Sequence, residues 1–282
     1  MDLDAAYDLC VSLVKERDKD RFLATLFAPE PFRKHVLALH AFDLELSSIR
    51  ALVSEPIAGE IRLQWWRDAL QNVAHGDIDG HPTLAALRDT AFRFGFDMRP
   101  FVQMADARTF DLYDDPFSDA PVFEAYAGET TALLYQVIAT VLGEGEPPPS
   151  GDAAGHVAVA ATVGAILKGL CHPQNRGRAL IPVSILTDAG ASVEDLRAAE
   201  MTPELSRAIT LFAAYGFEHW SIFDAALPGL LPTQRAAFLP LAALPTLFAR
   251  AKETRDPFTA PVDPPQWRRQ WMMWRRAGQI RR

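Results

Sequence analysis

Apolar side chains recur along this chain at three- and four-residue intervals, as in the series Leu39, Phe42, Leu46, Ile49 and Val53, whereas alternating apolar and polar runs are scarce. A three-four repeat puts its members on one face of an α-helix, where burial against a neighbouring element stabilises both. The pattern therefore predicts an all-α chain. Prolines punctuate it: Pro31, Pro56, Pro82, Pro203 and Pro232 each precede a periodic stretch. Proline suits the first helical turn because the N–H it lacks would have no intrahelical partner there. On these grounds helices are predicted over about residues 2–18, 31–53, 56–75, 82–94, 97–110, 119–143, 152–171, 192–200, 203–226, 232–252 and 264–276.

The strongest interruption is Gly143-Glu-Gly-Glu-Pro-Pro-Pro-Ser-Gly151, a polar Pro/Gly cluster that cannot continue a helix. It reads as a domain linker or as a surface loop. The halves on either side are alike in composition and neither contains an evident complete core, which favours the loop. One helical domain over residues 1–262 is expected, followed by a basic Trp/Arg-rich segment over 263–282.

Composition narrows the function classes. With 282 residues, 49% hydrophobic and 23% charged, the chain can bury a large core. Its net charge of −8 disfavours a general nucleic-acid binder, which needs a basic face to neutralise phosphates. Cys10 and Cys171 are far apart and show no metal-ligand spacing, so no disulfide framework or zinc site is indicated, and His172 beside Cys171 reads as structural. Asp2, Asp4 and Asp8 stand where a secretory or transit signal would be basic. No run reaches the roughly 18 apolar residues of a spanning helix. A soluble, cytoplasmic protein without a metal is expected.

Two segments carry a more specific signal. The first holds Ala38-Leu-His-Ala-Phe-Asp-Leu-Glu-Leu-Ser-Ser-Ile-Arg50, followed by Ile61-Arg-Leu-Gln-Trp-Trp-Arg67. The second is Thr162-Val-Gly-Ala-Ile-Leu-Lys168 through Arg176-Gly-Arg178 to Pro182. Together they resemble the squalene/phytoene synthase family, in its A-L-Y-A-F-x-R-x-x-D-D-x-x-D helix, its L-x-x-W-R helix and its R-D-x-x-x-D-x-x-R-G-R-x-Y-L-P run. Tyr126-Ala-Gly128 is similar to the family's V-A-G helix. The resemblance, over roughly residues 20–250, implies the isoprenoid synthase fold, a single helical bundle around a central cavity. In that family paired aspartates hold magnesium against a prenyl diphosphate. Laid on without gaps, they fall on Ser47 and Ala51 and on Gly169 and Pro173, and no Asp or Glu occurs from Ala153 to Thr187.

Ala41-Phe42, Glu45-Leu46, Val53-Ser-Glu55 and the Arg62 to Trp66 run are also similar to a divergent branch of the family that includes the mitochondrial complex I assembly factor. That likeness implies a retained scaffold serving assembly or lipid binding near an inner membrane, with a prenyl or other lipid as ligand and a respiratory-complex subunit as partner. The competing reading is an active prenyl transferase that uses magnesium through relocated ligands such as Asp43, Glu45, Glu55, Glu60 or Asp68. Four or more carboxylates converging on one central cavity would speak for the enzyme. A cavity walled by Ser47, Ala51, Gly169 and Pro173 would speak for the binder.

Candidate ligand contacts follow. Lys168, Arg176 and Arg178 either grip a phosphate directly or cap and pair around the helix–loop junction before Pro182. Phe42, Ser47, Trp65, Trp66 and Tyr126 are candidate cavity lining, and the tryptophans serve equally as core packing. Near the C-terminus, Trp267, Trp271 and Trp274 form one aromatic stripe flanked by arginines, with Arg281 and Arg282 beyond. A membrane-surface helix, a helix docked in a partner's groove, or a helix folded back on the body would each explain residues 264–282.

Overall fold

The structure, a computed structural model, describes residues 2–73, 80–149 and 151–280. The far end of the helix expected to reach residue 75, and Arg281 and Arg282, lie outside them. The described residues form helices and no strand: α1 Leu3–Arg17, α2 Lys19–Thr25, α3 Arg33–Leu52, α4 Pro56–Leu70, α5 Pro82–Phe94, α6 Arg99–Ala107, α7 Ala120–Ala127, α8 Leu133–Leu142, α9 Gly151–Gly169, α10 Val183–Asp188, α11 Val193–Ala198, α12 Pro203–Ala226, α13 Pro232–Arg235, α14 Leu244–Glu253 and α15 Gln266–Ile280.

Pro56, Pro82, Pro203 and Pro232 open α4, α5, α12 and α13. Side chains just before two of them receive orphan N–H groups: Thr202 Oγ1 accepts from Leu205 N at 3.1 Å, and His81 Nδ1 from Leu84 N at 3.4 Å. A Thr cap is worth about 1 kcal/mol.

The structure departs from the predicted elements in three informative places. Asp18 leaves the helical path at φ −141° and its carboxylate accepts from Arg21 N at 3.0 Å, starting the seven-residue α2 that no long apolar repeat announces. The single helix expected over 119–143 is α7 and α8 joined by a π-helical turn at Gly128–Ala132. The helix expected over 232–252 is α13, a 3-10 stretch at Ala236–Leu241 and α14. Pro240 lies inside the 3-10 stretch, and without an N–H it cannot continue an α ladder.

One large core runs from Ala24 on α2 to Ile280 on α15. A smaller cluster of Tyr7, Cys10, Val14, Leu37, Ala38, Ala41 and Ala86 seals α1 and α5 to α3. Residues 143–149 form a connection, not a linker: Gln234, fully buried on α13, donates to the Glu146 carbonyl at 2.9 Å. The basic C-terminal segment also belongs to the body, since Met273, Ala277 and Ile280 of α15 are buried in the main core.

Glycine lets α9, α12 and α14 approach closely. A Cβ at Gly216 of α12 would stand 2.7 Å from Val163 Cγ1 and 2.9 Å from the Phe248 ring, and one at Gly164 of α9 would stand 2.3 Å from a Leu244 methyl. These contacts hold one wall of the interior. Gly216→Val is expected to lower stability by about 2–3 kcal/mol through overpacking, read as a shifted urea midpoint. Gly278→Ala, in open space on α15, is expected to raise stability by up to about 1 kcal/mol from helix propensity.

Candidate functional site

α2, α3, α7, α8, α9, α14, α15 and the turns beside them line a cavity of about 420 Å³. That lies within the range of roughly 300–1,000 Å³ typical of small-molecule sites. Its apolar lining includes Phe117, Tyr135, Ala161, Ile166, Leu244 and Leu247, and charged side chains make up most of the polar lining.

Asp43 organises the charged side. It sits on the inner face of α3, one turn before Ser47, with its side chain only 5% exposed. Arg21 of α2 donates to Oδ2 at 2.7 Å and Arg108 to Oδ1 at 2.9 Å. Arg108 also donates to Asp111 at 3.2 Å and to the Tyr126 hydroxyl at 2.9 Å, and that hydroxyl donates to Asp111 at 2.7 Å. Burial alone would raise the Asp43 pKa, but the two guanidinium groups outweigh it and hold the carboxyl at about 2. His40, one turn earlier on α3, is buried; burial, with Arg21 adding to it, keeps its pKa well below the usual value. The ring therefore stays neutral.

Further ion pairs line the cavity. Lys168 meets Asp263 at 3.1 Å, and Arg269 of α15 bridges Asp20 at 2.6 Å and Asp263 at 2.8 Å. Arg50 and Arg178 both approach Asp114 Oδ1, at 3.8 and 3.7 Å, too far for hydrogen bonds. The Nε atoms of Arg50, Arg108 and Arg178 are buried and have no hydrogen-bond partner among the described residues.

Five carboxylates thus line the cavity, those of Asp18, Asp20, Asp43, Asp111 and Asp263. Each lies within 3.3 Å of an arginine or lysine nitrogen. Magnesium asks for near-octahedral oxygen ligands, and among the described residues no three Asp, Glu, His or Cys side chains are grouped to hold a metal. Each acid gives at least one oxygen to a cation of the protein, while Asp20 Oδ1 is buried and has no hydrogen-bond partner among the described residues.

The cavity brings together Ser47, Tyr126, Lys168 and Arg178 of the residues picked out from the sequence. Ala51 and Pro173 are exposed on the surface, while buried Gly169 accepts from the Asn175 amide at 2.9 Å through its carbonyl. Arg176 points outward. Phe42 and Trp66 pack in the core, with ring centroids 5.2 Å apart, and Trp65 stacks beside Trp66 and His81; none of the three is in the cavity wall. Of the substitute ligands considered, only Asp43 reaches the cavity. Glu45, two residues on and so on another face of α3, accepts from Thr83 and lies 3.4 Å from His81. Glu60 accepts from Tyr113 and Asp68 from Gln64, and Glu55 lies away from the lining.

Arg21, Arg50, Arg108, Asp111, Asp263 and Arg269 were not singled out by sequence motifs. Some signal existed: Arg108 and Asp111 have the i, i+3 spacing of a helical pair, and Arg269 falls on the opposite face of α15 from the tryptophans. Only the fold shows that these residues meet.

With this geometry in hand, comparison with known proteins places the chain. Among solved structures it superposes on a dehydrosqualene synthase in complex with ligand at TM-score 0.82, with 16% identity over 98% of this chain and 96% of that one. It also superposes on the squalene synthase HpnC from Alicyclobacillus acidocaldarius at TM-score 0.74, with 17% identity over 89% of this chain and 94% of that one. These likenesses establish the isoprenoid synthase fold. The squalene/phytoene synthase family profile matches residues 14–275, and the chain belongs to that family. Its sequence is 26% identical over 186 residues to the human NADH dehydrogenase (ubiquinone) complex I assembly factor 6, covering 66% of this chain and 56% of that protein. It is 27% identical over 212 residues to chloroplastic phytoene synthase 2 of Solanum lycopersicum, covering 71% and 66%. The match spans little more than half the length of the assembly-factor relatives.

The buried charges set a pH profile. Asp43, held at about 2 against an ordinary 3.8, contributes stability that is present above about pH 4 and lost as pH falls toward 2. His35 acts at milder acidity: burial, reinforced by Lys34 and Arg93, lowers its pKa from 6.5 to about 4, so stability falls as pH drops from 6.5 to 4. Urea midpoints should decline over both windows. Asp43→Asn is expected to cost about 3–5 kcal/mol at neutral pH, because it leaves two buried guanidinium groups without their counter-ion, and to flatten the decline below pH 4.

Proposed function

We propose that this chain is a non-catalytic squalene/phytoene synthase homologue that holds a prenyl or other lipid anion in its central cavity without a metal, and acts in assembling a respiratory complex. One observation carries the binding part: Arg21, Arg50, Arg108, Lys168, Arg178 and Arg269 line the cavity against five carboxylates, so cations outnumber acids in its wall. A phosphate or carboxylate of a ligand would meet the terminal nitrogens of Arg50 and Arg178 with Lys168 beside them, and an acyl or prenyl chain would lie along Tyr135, Leu244 and Leu247.

Prenyl condensation needs more than grip. Ionising an allylic diphosphate places new charge on the leaving group, and in this fold carboxylate-held magnesium meets it. Here the lining carboxylates neutralise the protein's own cations. The assembly role rests on the likeness to complex I assembly factor 6 of human, rat and cow. A cytoplasmic protein peripheral to an inner membrane is consistent with that role, and no helix among the described residues is long and apolar enough to cross a membrane. Five carboxylates converge on the cavity and, of the four motif positions, only Ser47 lines it, the arrangement expected of the competing prenyl transferase, so an assay of that activity decides between the two readings.

Purified protein given magnesium and farnesyl or geranylgeranyl diphosphate is expected to release no pyrophosphate. Formation of squalene or phytoene would overturn the reading. Farnesyl phosphate is expected to bind by calorimetry, with Arg178→Ala and Arg50→Ala each weakening it roughly tenfold or more, as loss of a charge-assisted hydrogen bond implies. In a deletion strain the NADH dehydrogenase complex should fail to assemble while isoprenoid products stay unchanged; normal assembly would remove the second half of the proposal.

A further inference from the structure

The outer face of α15 remains unexplained by the cavity. Its inner face is fixed to the body by buried Met273, Ala277 and Ile280, by Arg269 on Asp20 and Asp263, and by Arg276 on Asp224. Opposite these anchors, Trp267, Trp271 and Trp274 are 69%, 50% and 67% exposed. At 100° per residue the three lie within an arc of about 60°. Three largely exposed indoles in one stripe on a firmly docked helix form a patch of the kind that marks a binding surface.

The borders of the stripe indicate what it binds. Arg268 and Arg275 run along one edge, both exposed, and the Arg275 guanidinium stands 5.6 Å from the Trp271 ring centre. Residues 266–280 contain no acid, although the whole chain carries a net charge of −8. On the other edge, Met273 and Gln270 form a shallow groove with Leu23, Phe27 and Leu26 of α2 and the turn after it, Leu26 being 45% exposed. Apolar surface thus continues on one side and positive charge on the other. Indole rings favour the polar–apolar boundary of a bilayer, and arginines beside them meet lipid phosphates.

We propose that α15 is an interfacial helix that rests on an anionic lipid surface through Trp267, Trp271 and Trp274, with Arg268 and Arg275 on the headgroups. The anchoring side chains on its inner face hold it parallel to the protein surface, so docking needs no unfolding of the C-terminus. The proposal is independent of what the cavity holds.

The full chain should sediment with phosphatidylcholine vesicles containing phosphatidylglycerol and far less with phosphatidylcholine alone. High salt should weaken binding, because exposed charges are screened. Replacing the three tryptophans by alanine should reduce partition at least tenfold with an unchanged thermal midpoint, since all three are exposed. Arg268→Gln with Arg275→Gln should remove the preference for the anionic lipid. Arg178→Ala, in the cavity, should leave vesicle binding unaltered and so separates this surface from the cavity reading. Failure of the wild-type chain to bind anionic vesicles, or equal binding by the triple tryptophan variant, would overturn the proposal and leave the stripe to a protein partner.

Discussion

The interior of this protein depends on one buried carboxylate held between two guanidinium groups. Asp43 cannot be uncharged without stranding Arg21 and Arg108, and neither arginine can move without exposing a buried anion. The triad ties α2, α3 and the turn after α6 around the polar end of the cavity. Through Asp111 and Tyr126 it also reaches the start of the π-helical turn. A π turn widens the helical path by one residue, and here it sets Thr131 in the cavity wall. The shape of the cavity and its charge balance are therefore one feature.

The acids of the cavity are neutralised internally, because cations from distant segments, among them Arg21, Lys168 and Arg269, pair with them. Among the described residues the Nε donors of Arg50, Arg108 and Arg178 and the Oδ1 acceptor of Asp20 stay buried without partners. The surrounding helices keep the arrangement of the isoprenoid synthase fold, as the superposition on a dehydrosqualene synthase shows.

Much of this was legible in the sequence. The three-four repeats and first-turn prolines located most long helices, and two motif segments identified the fold and brought Ser47, Tyr126, Lys168 and Arg178 to attention. Short elements such as α2 and α10 carry too few periodic residues to be read, and the break at Pro240 lay inside an otherwise helical pattern. The charged network was hidden for a different reason. Arg21 and Arg108 lie 22 and 65 residues from Asp43, and Arg269 lies 249 residues from Asp20, and only tertiary packing brings such partners together. Trp65 and Trp66 illustrate the opposite error of emphasis, for an aromatic pair near a motif served the core and not the cavity.

The central claim is that the cavity recognises a lipid anion through arginine and lysine and not through bound magnesium. Its most direct test is the affinity of the intact protein for farnesyl phosphate, titrated once with excess magnesium and once with a chelator. The account predicts the same dissociation constant under both conditions. Binding that appears only when magnesium is present would contradict it.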